Sequence, residues 1–138
     1  MKKNSFRLYY LVWLIGAIIL IVLGNQLLDY FNESAKRTFD YSWNVWGPVF
    51  IYFIFGVYLG FLNGLPKKIS FNKSLFVFVF IPSLFMSLYF ILMFYYKLPF
   101  AGAYMFHIRQ NVQFIFNIIA GMSFIVSVFS LTRLDKNN

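Results

Sequence analysis

The side chains best suited to chemistry in this 138-residue chain gather around one stretch, residues 107–117, HIRQNVQFIFN. An imidazole, a guanidinium and several amides stand there immediately ahead of a Phe/Ile run. General acid–base work needs a positioned titratable pair, and the only partners for His107 are Asp29, Glu33 and Asp40, all from segments between apolar stretches. Nucleophilic catalysis by Ser83, Ser87, Ser123, Ser127 or Ser130 would need an adjacent base, and the apolar stretches that carry them supply no carboxylate, His or Lys near them. There is no Cys, so thiol chemistry, disulfides and Cys-based metal sites are excluded. One His and four carboxylates do not make a dedicated transition-metal site. No catalytic residue, metal ligand or cofactor-binding residue is assigned, and the chain reads as a non-enzyme.

What remains is hydrogen bonding. With Gln110 at 0° on a helical wheel, Gln113, Asn117 and Gly121 all fall within an arc of about 80°. Asn117 lies about 12 Å beyond Arg109 along such a helix. A polar amide that deep in an apolar segment must face protein or water, because hydrocarbon offers it no partner. Asn25 and Asp29 close the first apolar stretch, which a multi-span topology brings to the same end. The expectation is a polar vestibule formed by Asn25, Asp29, Arg109, Gln110, Gln113 and Asn117, floored near Asn117, with Asp29 and Arg109 paired across its mouth. The competing reading is purely structural. Asn and Gln glue membrane helices together with about 0.6–2 kcal/mol each, and His107 and Arg109 suit interfacial anchors.

The elements that must position these residues follow from composition. The chain is 61% hydrophobic and 24% aromatic with only 12% charged residues, too apolar for a soluble domain. Its charges leave four long uncharged stretches, residues 8–28, 41–66, 74–96 and 110–132. A helix crossing about 30 Å of hydrocarbon needs about 20 apolar residues, so each stretch is long enough. They are continuously apolar and do not alternate, which favours helices over barrel strands. The expected architecture is a single all-α domain over residues 1–138, an antiparallel bundle of four transmembrane helices at about 8–28, 45–65, 74–96 and 110–132. The first is expected to be retained as a membrane helix, since its apolar core exceeds a signal-peptide h-region.

A net charge of +8 would suggest nucleic acid in a soluble protein. Here Lys2, Lys3, Arg7, Lys67, Lys68, Lys73, Arg133 and Lys136 fall on one side of the alternating topology, against Lys36, Arg37, Lys97 and Arg109 on the other. The positive-inside rule then puts both termini in the cytoplasm, and the basic excess is a topology signal.

Local features refine the helices. Gly56, Gly60 and Gly64 recur every four residues and give the second helix a small-residue packing seam, its partner being in this chain or another copy. Pro48 suits a first helical turn, and Pro82 predicts a kink at residues 78–82. Residues 29–44 read as a solvated loop or interfacial turn, although helical continuation would pair Glu33 with Arg37 and Lys36 with Asp40.

Two functional classes survive: an accessory, regulatory or peptide-immunity-type interaction subunit, and a small oligomeric channel or carrier for a neutral or anionic solute. The expected partners are the lipid bilayer and another membrane protein or further copies of this chain, without nucleic acid. The Phe, Ile, Asn, Lys and Tyr content reflects A/T-rich codons and points to a multi-pass protein of a bacterial plasma membrane.

Overall fold

No proline or strong turn signal interrupts residues 2–38, and in the computed structural model, which describes residues 2–64, 66–99, 102 and 110–131, one helix spans them, α1 (Lys2–Thr38). Its 37 residues are about 55 Å long. The segment expected as a loop from residue 29 is therefore helical as far as Thr38, and Glu33 and Arg37 form an exposed i,i+4 pair at 3.7 Å. The helix stops at Phe39, whose φ of 57° is left-handed and whose N–H donates to Ala35 O at 2.9 Å. That is the C-terminal αL cap, here carried by a Phe that is 81% exposed in place of the usual glycine.

Asp40 starts the next helix, accepting the Ser42 N–H at 2.9 Å. α2 (Ser42–Gly60) begins three residues earlier than expected, so Pro48 sits nearly two turns inside it. A 3₁₀ turn (Phe61–Asn63) follows and ends at Gly64, with φ 129°. β1 (Pro66–Ile69) leads to a short helical turn, α3 (Lys73–Leu75), capped by the Asn72 side chain. A π-helical segment (Phe76–Phe80) and α4 (Ile81–Tyr95) continue it. The Ile81 N–H reaches back five residues to Phe76 O. Pro82 follows at once. A proline cannot donate to the preceding turn, and the widened π segment is how this backbone meets the irregularity expected there.

α5 (Gln110–Val128) ends sooner than expected because the chain turns into β2 (Phe129–Leu131), which pairs antiparallel with β1. Ser70 and Asn72 extend this clasp by donating to Val128 O and Ser127 O. The link between α2 and α3 is thereby tied to the end of α5, an element the sequence did not announce.

The helices lie in the order α1, α2, α5, α4, each packed mainly on its neighbours in that row. α1 and α2 run antiparallel. Tyr58 stacks on Trp13 at 5.4 Å and donates its hydroxyl to Trp13 O at 2.7 Å, while Phe31 stacks on Trp43 near the other end. α2 and α5 run parallel: Tyr52 stacks on Phe114, and Phe124 reaches both Phe53 and, across the row, Phe80 of the π segment.

The α2–α5 contact is set by glycine. A Cβ at Gly56 would overlap the Ile118 carbonyl of α5, and one at Gly121 would overlap the Phe53 carbonyl of α2. A Cβ at Gly60 would meet the Ile125 side chain. The structure thus places Gly56 and Gly60 against a helix of the same chain. Gly64 lies beyond the end of α2, and its role is the positive φ.

Among the described residues, three helical stretches are long and apolar enough to cross a membrane: Leu8–Thr38, Ser42–Gly60 and Lys73–Met93. The fourth apolar helix, Val112–Val128, is shorter.

Two outcomes are expected. Gly56→Ala destabilises the folded protein in detergent by about 1–3 kcal/mol through overpacking against backbone. Gly102→Ala, at a helical position with open space around it, does not destabilise by the same unfolding measurement and gains up to about 1 kcal/mol from the stiffer unfolded chain. The hydrogen bonds from the Ser42 hydroxyl and amide hold the Asp40 carboxyl below the usual aspartate range. A carboxyl so depressed holds the Asp40–Ser42 turn at pH above its unfolded value and releases it as pH falls through the folded one. The Ser42 amide resonance followed against pH should accordingly shift with a midpoint below that of an unstructured aspartate, and a midpoint at or above it would disprove the Asp40–Ser42 hydrogen bond.

Candidate functional site

The polar residues of the described chain are sorted by burial. Ser83, Ser87, Gln113, Asn117, Ser123 and Ser127 are buried, whereas Asn25, Gln26 and Asp29 are exposed. The buried set lies on α4 and α5. On α5 the four residues, Gln113, Asn117, Ser123 and Ser127, fall within an arc of about 120° at 100° per residue, one helical face.

The reason for this face is the row of helices. α5 presents Gly121 to α2 and must present another face to α4. Packed antiparallel, α4 brings Ser87 against Asn117, and the Ser87 hydroxyl donates to Asn117 Oδ1. Asn117 is 1% exposed. Ser123 and Ser127 satisfy their hydroxyls locally, donating to Ala120 O at 3.1 Å and Phe124 O at 2.9 Å. Such back-bonding lets a serine sit in an apolar interface without a neighbour's help. Asn117 has no such escape, since its amide carries two donors and a carbonyl oxygen. Its Nδ2 is buried and has no hydrogen-bond acceptor among the described residues.

Depth follows from the contacts between helices. Asn117 lies near the level at which Tyr52 stacks on Phe114 and Gly56 meets Ile118. The α1–α2 contacts Trp13–Tyr58 and Gly24–Ile51 carry that level across to about Leu20. It is within about one helical turn of the middle of the uncharged stretch 8–28. A donor left unpaired in such surroundings costs about 1–3 kcal/mol.

Of the six residues expected to form one vestibule, Asn25 and Asp29 on α1 lie apart from Gln113 and Asn117 on α5. Asn25 lines a cleft between α1 and α2 of about 70 Å³, with Leu20, Ile21, Gly24, Leu28, Ile51, Tyr52 and Phe55. The cleft is almost wholly apolar, and α2 stands between it and the Asn117–Ser87 contact. Asp29 is on the exposed surface of α1. Gln113 is buried one turn before Asn117, and Gln110 opens α5. Arg109 lies outside the described residues, as does His107, so the Asp29–Arg109 pair does as well. Among the described residues no three His, Cys, Asp or Glu side chains come together.

Sequence reasoning found Gln113 and Asn117 but not the partner Ser87, nor the aromatic clamp of Tyr58 and Trp13. Ser83 and Ser87 at one-turn spacing were the available sign of a polar face on α4. Which α5 residue they meet depends on the lateral order of helices.

A double-mutant cycle on Ser87→Ala and Asn117→Ala, read as unfolding free energy in detergent, should give a coupling of about 0.6–2 kcal/mol. Strictly additive losses would show that the two side chains do not interact.

No protein-family model matches the chain, and no curated protein or solved structure is significantly similar to it.

Proposed function

We propose that the chain spans the membrane four times with both termini in the cytoplasm, and that it serves there as a non-enzymatic accessory, regulatory or immunity-type subunit that works by docking on another membrane protein. One observation carries this reading. α1 packs chiefly on α2, and Leu11, Leu14, Ile18, Val22 and Leu23 remain exposed around the rest of its surface. A helix held along one side leaves the others free for a neighbour, whereas the glycine faces that bring helices closest are already used inside the chain. Tyr30, Phe39, Tyr41 and Trp43 add an exposed aromatic cluster where α1 turns into α2. Trp and Tyr at that end suit a membrane–water interface, and Lys67, Lys68 and Lys73 at the opposite end suit the cytoplasmic one. A bacterial plasma membrane fits the A/T-rich amino-acid usage.

A second reading, an oligomeric channel or carrier for a neutral or anionic solute, is favoured by the buried polar face of α5 running from Gln113 to Ser127. Native purification in mild detergent separates the two. The docking reading expects a larger membrane protein to accompany the chain, and liposomes containing the purified chain to pass small solutes no faster than empty ones. A chain that purifies alone and accelerates solute flux would overturn it in favour of the channel.

A further inference from the structure

Among the described residues, Asn117 Nδ2 is the one fully buried side-chain polar atom without a hydrogen-bond partner. Ser87 occupies the other end of that amide. Turning the amide over exchanges which end meets the hydroxyl and still leaves one end unserved, because a single serine oxygen cannot bond both ends of a planar amide. Hydrocarbon side chains or lipid cannot supply what is missing. The neighbouring groups limit what can. Ser83, Ser87, Gln113, Asn117, Ser123 and Ser127, the buried polar residues, are all uncharged, so nothing among them neutralises a bound anion. Nor does any carboxylate among them neutralise a cation. The missing partner is therefore a neutral group that can accept or donate a hydrogen bond. Gln113 precedes Asn117 by four residues on the same helix face, and residues so spaced have Cβ atoms about 5–6 Å apart, so that both amides can reach one oxygen between them. Both are buried.

We propose that Asn117 Nδ2 and the Gln113 amide hold one water molecule in the α4–α5 interface, about midway along the helices. A buried water is kept where it finds two or more polar partners, and the two amides provide them. The site does not depend on whether the protein docks on a partner or conducts a solute.

The test uses the full chain in lipid nanodiscs, with ¹⁵N in the side-chain amides of Asn. The Asn117 signal is identified by its loss in Asn117→Leu and, should that variant not fold, by its displacement in Ser87→Ala. Both Nδ2 protons are expected to show magnetisation transfer from water, and Gln113→Leu is expected to remove it while the Asn117 signal persists. Transfer only from protein or lipid chain protons would overturn the proposal. So would transfer from water that Gln113→Leu leaves intact. Repeating the measurement with glycerol in the buffer distinguishes the source of the oxygen: transfer from glycerol in place of water would show a solute site and overturn the assignment to water.

Discussion

The backbone contact between α2 and α5 is the constraint from which the rest of this structure follows. Gly56 admits the Ile118 carbonyl and Gly121 admits the Phe53 carbonyl, so each helix supplies the gap that the other's backbone fills. In an apolar solvent, helices gain little from hiding hydrocarbon, and close packing of backbones takes over as the source of association. Two helices that are not adjacent in sequence are thus locked parallel at the centre of a row. α1 is left to pack on the outer side of α2, and α4 on the outer side of α5. The β1–β2 clasp fastens the same pair at one end, joining the link that leaves α2 to the strand that leaves α5. Its ladder also satisfies backbone groups that irregular chain would otherwise leave open near an apolar environment.

Polarity is distributed according to that row. α5 has glycine on the side that must approach α2, and amides and hydroxyls among the residues buried elsewhere on it. Serines that bond their own helix are neutral occupants of such a surface. Asn117 is different in kind, because its amide asks for more partners than Ser87 can give. At the level of Asn117, α1 and α2 meet through apolar residues, and α2 meets α5 through the Tyr52–Phe114 stack. The strongest demand for a hydrogen bond is consequently placed where the surroundings offer the fewest.

Much of the helical layout was legible from charge alone, since every charged side chain falls outside the stretches 8–28, 41–66, 74–96 and 110–132. Helix ends were less legible. Residues 29–38 are polar but contain no breaker, and polarity is not a stop signal for a helix that leaves an apolar layer. The clasp was invisible because it joins Pro66 to Leu131, two short segments with no alternation of their own. The glycine repeat pointed to a packing face, yet its third member had a local duty: helix geometry had already ended at Gly60, and Gly64 supplies a backbone angle that other residues rarely adopt. For the polar site, periodicity identified the face of α5 and its two amides. It could not tell that α2 would stand between that face and Asn25, because lateral order is decided by which glycine meets which carbonyl.

The most direct measurement of that decision is a disulfide across the α2–α5 contact. A Cβ built on Gly60 lies 3.5 Å from the Ile125 Cβ, within the range a disulfide requires, and the chain has no cysteine of its own to interfere. In membranes, the Gly60→Cys/Ile125→Cys protein should oxidise to a monomer closed by an internal bond, visible as a faster-moving band that reductant reverses. Cross-linked dimers in place of that band would place the glycine face between copies of the chain and contradict the account.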